Sequence, residues 1–157
     1  MPQELNNNSI TRTQAEPLSE KLKEIGFEKT DFEPVVLNRF IVNIDGIPSY
    51  IICGARMPHC TFYRNKERKT VEPKWESLIL FLYNPVSLDT EKQILEIGKK
   101  DEVDISVRYL SPTGEPVTHW KIKAEMTAVD YGEFDWKNTG DPNIIQLTFK
   151  IKDVTLV

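Results

Sequence analysis

Four side chains of the kinds that ligate metals or carry nucleophilic chemistry stand in this sequence: Cys53, His59, Cys60 and His119. Their spacing supplies no C-x-x-C pair and no H-x-x-x-H pair, so a tetrahedral zinc site would need ligands brought together from distant positions. No metal site is expected. His59 and Cys60 adjoin behind Pro58, which reads as a loop histidine beside a small apolar thiol. Nucleophilic catalysis needs a base next to a serine, cysteine or threonine, and neither histidine sits in a nucleophile-elbow or glycine-rich context. Carboxylates gather at Asp101, Glu102 and Asp104 and again at Asp130, Glu133 and Asp135. Such spacing belongs to exposed loops and strand starts, where the acids are solvated or meet basic groups of another subunit. No catalytic residue and no cofactor are expected.

The sharpest local feature is Phe62-Tyr63-Arg64-Asn65-Lys66-Glu67-Arg68-Lys69, four basic residues against one acidic, led by two aromatics. It can be a solvated hairpin tip, a surface for single-stranded nucleic acid, or a positive knob that docks on an acidic patch of an identical subunit. Glu72 and Glu76 dilute its field. The net charge of −4 and pI of about 5.3 argue against a dedicated nucleic-acid binder.

The elements that must position these groups are strands. Ile145, Leu147, Phe149 and Ile151 alternate with Gln146, Thr148, Lys150 and Lys152, the period-2 pattern of a strand with one buried and one wet face. Val103, Ile105, Val107 and Tyr109 repeat it, as do Trp120, Ile122, Ala124 and Met126. Ser111-Pro112-Thr113-Gly114 between these two runs predicts a hairpin. Phe40, Val42 and Ile44 form another alternating run, and Asp45-Gly46 before Ile47 to Cys53 predicts a further hairpin. Gly54 to Glu72 reads as a long exposed connection or hairpin extension. Trp75 to Tyr83, apolar on both faces from Leu78 to Leu82, reads as a central strand covered on both sides. Ser87 or Asp89 can cap a helix with an apolar stripe of Leu88, Ile94, Leu95 and Ile97, ending near Gly98 and Lys99-Lys100. Tyr131 to Pro142 reads as a surface loop.

At 157 residues with 39% hydrophobic and 28% charged side chains, the chain has the makings of one strand-rich globular domain preceded by an arm. Met1 to Glu16 is polar, with Leu5 and Ile10 its only sizeable aliphatics after the initiator, and is expected to be that arm. Pro17 to Ile25 carries Leu18, Leu22 and Ile25 at helical spacing before Gly26, so a short helix is expected there. The division falls between 1–36 and 37–157. No run is apolar enough for a membrane helix, the start lacks signal-peptide order, and two cysteines suit a reducing compartment, so assembly in the cytoplasm without a membrane anchor is expected.

Taken together, the order is arm, hairpin, charged connection, tryptophan-led strand, single helix, second hairpin and terminal strand. In this order the chain resembles the tail tube protein of contractile-tailed bacteriophages and, more distantly, the Hcp-type inner-tube proteins of type VI secretion systems. The resemblance spans about Leu37 to Val157. It rests on Arg39-Phe40-Ile41-Val42-Asn43-Ile44, on Cys53 to Pro58, on Trp75 to Asn84 leading to the helix, and on Gly132-Glu133-Phe134-Asp135-Trp136 before the last strand. The extended arm before Phe27 departs from a minimal tube subunit. The resemblance implies a mainly β fold, an antiparallel sandwich or barrel with one flanking α-helix. It further implies six copies closing into a ring, rings stacking into a virion tail tube assembled in the host cytoplasm, sheath and baseplate or initiator proteins as partners, and a conduit that DNA crosses during ejection without specific binding. Arg64, Lys66, Arg68 and Lys69 would then lie at the contact between rings, with Ile145, Leu147, Phe149 and Ile151 in the core strand. A baseplate or tube-initiator component, a secretion-system tube and a small β-barrel nucleic-acid module are the alternatives.

Overall fold

Period-2 alternation governs the chain from Phe40 onward, and backbone pairing follows from it. The computed structural model describes residues 34–157, so the expected arm and the helix over Pro17 to Ile25 lie outside the described residues. These residues are mainly β, 52% of them in strands, with one α-helix. Strands β1 (Phe40–Ile44), β2 (Ile52–Arg56), β5 (Leu78–Tyr83), β6 (Val103–Leu110), β7 (Pro116–Asp130) and β8 (Ile144–Leu156) form one sheet in the order β1-β6-β7-β8-β5-β2. Strands β3 (Cys60–Asn65) and β4 (Thr70–Trp75) form a separate two-stranded sheet. Every pairing is antiparallel.

The large sheet nearly closes on itself. Register shifts between Lys123 and Ala124 and between Met126 and Ala128 interrupt the long β7–β8 ladder, and such bulges bend and twist a strand pair. Inside the curl lie Val42, Leu78, Leu80, Leu82, Ile105, Val107, Ile122, Ala124, Ile145, Leu147 and Phe149, all buried. Ile151, expected in the same row, is only partly buried against them. Helix α1 (Thr90–Gly98) adds Ile94 and Ile97 to this core. Asn84 ties the end of β5 to its neighbours, its Nδ2 donating to Glu91 Oε1 at 3.0 Å and Asn143 Oδ1 at 3.3 Å.

Five expectations change. The Asp45-Gly46 turn forms, with Gly46 at φ +89° and Ile47 N–H donating to Ile44 C=O at 3.3 Å, but the runs it joins do not pair beyond that bridge. Instead β1 pairs with β6, β2 pairs with β5, and a single 3-10 turn over Ser49–Ile51 intervenes. Pro48 cannot donate to a ladder, and burial of Ile47 and Ile51 draws the link into the core. Next, Trp75 closes β4 instead of opening β5. On β5 only the Leu78, Leu80, Leu82 face is buried while Ile79 and Phe81 are half-exposed, because the curled sheet has one inside. In α1, Leu95 stands 55% exposed, since at 100° per residue it lies well off the face shared by Thr90, Ile94 and Ile97. Asp89 holds the N-cap position, yet its side chain makes no capping bond and pairs with Lys92 at 3.4 Å.

Candidate functional site

The charged run folds into the tip of the β3–β4 hairpin. Its register is Cys60 to Trp75 at the root and Asn65 to Thr70 at the top. Asn65 accounts for the turn between them, because its Oδ1 accepts from the backbone N–H of Glu67 at 3.0 Å and of Arg68 at 3.3 Å. Lys69 completes the turn at φ +53°, a left-handed conformation uncommon for a non-glycine residue. Arg64, Lys66, Arg68 and Lys69 are thereby gathered on one projecting knob, and every residue from Thr61 to Lys74 is exposed. Among the described residues none of these four cations stands within ion-pair distance of an acid. The root is fixed. Glu76 N–H donates to His59 C=O at 2.8 Å, and the Trp75 ring meets Trp120 of β7 edge-on at 5.8 Å and 84°, a favourable aromatic geometry. Phe62 and Tyr63 lie exposed on the shaft, with Lys74 Nζ 5.4 Å over the Tyr63 ring.

A second surface lies on the wet faces of β1, β6, β7 and the end of β8. There a groove of about 600 Å³ is lined by Asp45, Asp104, Arg108, Lys121, Lys123 and Asp153, among others. In it Ser106 Oγ lies 2.6 Å from His119 Nε2. Partial burial lowers the His119 pKa from its ordinary value, and the cations Arg108 and Lys121 lower it further. The two groups share one hydrogen bond, and the tautomer of the neutral ring sets which of them donates. No carboxylate is bonded to the imidazole among the described residues, so nothing orients it as the third member of a triad would. The sequence did not expose this pair. It arises because the Ser111 to Gly114 turn sets Arg108 opposite His119 and Ser106 opposite Lys121, which leaves Ser106 and His119 diagonal on one face.

The four sequence-level ligand candidates do not converge. Cys53 is on β2, Cys60 opens β3, His119 is on β7, and among the described residues no three His, Cys, Asp or Glu side chains are grouped to hold a metal. Both cysteines are free and half-buried. Cys53 Sγ donates to Phe81 C=O at 3.4 Å, and burial pushes its thiol pKa up.

A third surface is the loop from Tyr131 to Asn143. It is braced by its own polar groups. Asp130 Oδ1 accepts from Gly132 N–H and Asp135 Oδ1 from Lys137 N–H, both at 2.9 Å, while Asn143 Nδ2 donates to Tyr131 C=O at 3.1 Å. These bonds present Phe134 and Trp136 outward, 82% and 104% exposed. Lastly, the sheet has two edges. Leu110 N–H donates to Arg39 C=O at 3.0 Å, so by antiparallel alternation the backbone groups of Ile41 and Asn43 face β6 while those of Phe40 and Val42 face outward.

Comparison with protein-family models and with curated protein sequences finds no match. Solved structures do match. A chain of the PVC extracellular contractile injection system, in its sheath–tube complex in the extended state, superposes with a TM-score of 0.55 at 17% identity, over 84% of this chain and 99% of that one. A chain of the sheath/tube terminator of the same system gives 0.58 at 17% identity, over 80% and 97%. One from the anti-feeding prophage baseplate gives 0.53 at 19% identity, over 80% and 96%. The fold is tail-tube-like. The tail-tube-like core therefore accounts for almost the whole of each matched chain.

Proposed function

We propose that this chain is a structural subunit of the inner tube of a contractile tail, self-assembling into hexameric rings that stack into a hollow conduit inside a sheath. The observation that carries this is the similarity running through 99% of a chain from a sheath–tube complex, which leaves little of that chain outside the shared fold. The physics supports it. A sheet with outward-facing backbone groups on an edge strand is a template for strand addition, and a ring pairs its edges with sister copies. The half-exposed Ile79 and Phe81 of β5, one strand in from the β2 edge, add apolar surface on the outer face of the sheet. The conduit carries DNA during ejection without binding it specifically, and a net charge of −4 per chain is compatible with that, since each basic contact to a phosphate would hold the DNA by counterion release. The Arg64, Lys66, Arg68 and Lys69 knob meets the adjacent ring.

Negative-stain imaging of the purified chain tests this proposal. Rings or hollow filaments of uniform width are the expected result. A chain that remains monomeric at high concentration, and is absent from the central conduit of the particle that encodes it, overturns the reading. A second reading has its own support, because a sheath/tube terminator and a baseplate contain chains of similar fold. A terminator or baseplate component forms rings that do not elongate, so the same images separate the two.

A further inference from the structure

The basic knob needs a counterpart, and the chain carries one. The loop over Tyr131 to Asn143, with its flanking Asp130, holds Asp130, Glu133, Asp135 and Asp141 against the single cation Lys137, the inverse of the four cations and one acid of the hairpin tip. Each charged surface also has exposed aromatic rings beside it. Phe134 and Trp136 project from the loop, and Phe62 and Tyr63 lie just below the tip. An indole that stands wholly in water on an internally braced loop gains most by being covered, and guanidinium over indole is the strongest common cation–π pairing.

Topology keeps the two surfaces apart within one chain. The hairpin root rests on Trp120, which pairs with Leu156 at the last turn of the β7–β8 ladder, whereas the acidic loop joins Asp130 to Ile144 at the ladder's first end. Thirteen residues of β8, at about 3.3 Å each, give a contour of roughly 40 Å between these two ends, shortened where the bulges bend the ladder. Complementary patches at opposite ends of one molecule meet only between copies, head to tail, and a heterologous contact of this kind propagates as a filament. We infer that the acidic aromatic loop is the receptor for the basic hairpin tip of a second copy of this chain, and that Trp136 is its apolar anchor. This rests on the tube reading and specifies its stacking contact.

The test uses polymerisation of the full chain, read as critical concentration by sedimentation and as tube length by negative stain. Glu133 has no side-chain bond within the loop among the described residues, so Glu133→Lys reverses charge without loosening the loop. Trp136→Ala removes a fully exposed ring. Each should raise the critical concentration about tenfold or more, the first by setting like charges face to face and the second by removing the ring to be covered, while circular dichroism stays that of the folded chain. Arg68→Glu should do the same, and Arg68→Glu combined with Glu133→Lys should recover much of the loss. In wild-type chain, assembly should shield Trp136 from acrylamide. Wild-type tubes indifferent to Glu133→Lys and Trp136→Ala, or a double variant no better than its parents, overturn this contact and leave the tube reading standing. A wild-type chain that forms no rings or tubes overturns both.

Discussion

His119 shows how a wet sheet face imposes chemistry on a single side chain. Half-buried between Arg108 and Lys121, with Ser106 Oγ at 2.6 Å, its ring favours the neutral state. In the unfolded chain the imidazole has its ordinary pKa of about 6.5 and takes up a proton first as pH falls. Stability is therefore complete above that value, declines as pH drops through it, and levels off once the folded ring also protonates. Urea titrations of wild type and His119→Gln over this range should diverge toward acid, with the variant the flatter; parallel curves would mean that the ring is unperturbed. Phe149 is the opposite kind of residue. It is fully buried between Leu147 and the partly buried Ile151 along β8, so Phe149→Ala should lower unfolding free energy by about 3–5 kcal/mol. Phe149→Asp should yield no folded protein, because it adds an unpaired buried carboxylate. Phe149 was legible from alternation alone. His119 was not, because its partner is set by strand register and lies on the polar half of the pattern, where sequence carries no signal of pairing.

Among the elements, local rules identified strands and turns well, and failed where long-range pairing overrode them. The Ser111 to Gly114 hairpin, the terminal strand and the surface loop stand where their turn residues and alternation put them. The Asp45-Gly46 signal was as strong locally, yet β1 and β2 find better partners in β6 and β5, and nothing in a short window reports that competition. Trp75 misled for a related reason, since a hairpin root packed on a distant tryptophan resembles the start of a core strand. The loop after β7 depends on one backbone position. Gly132 sits at φ +78°, and a Cβ there would lie 2.6 Å from Ile144 C=O, a backbone atom that cannot swing away. Gly132→Ala is thus strained by both conformation and contact, and should destabilise the chain by about 1–3 kcal/mol. Hydrogen exchange should show the loss concentrated at the Asp130 and Ile144 ends of β7 and β8; uniform protection equal to wild type would mean that the loop tolerates the methyl.

For the whole molecule, the proposed tube assembly would respond to salt in two opposed ways. Each copy has a net charge of −4, so screening relieves repulsion between copies, but it also weakens any contact built from opposed charges. The distances decide between them. At 0.1 M salt the Debye length is about 10 Å, so net charges spread over bodies of roughly 40 Å are already largely screened, and adding salt relieves little more. Opposed side chains in contact at about 4 Å retain on the order of 1 kcal/mol each in a water-like medium, and raising salt to about 1 M, where the Debye length is about 3 Å, removes much of that. Apolar strand-edge contacts within the proposed ring would respond the other way, since salting-out ions strengthen burial. Raising sodium chloride from about 0.1 to 1 M should therefore shorten wild-type tubes while rings persist, and should bring wild type toward Arg68→Glu, whose stacking contact lacks the attraction being screened. Length distributions from negative stain measure this directly. Tubes that lengthen with salt would place apolar surface, not the charged knob and loop, between rings.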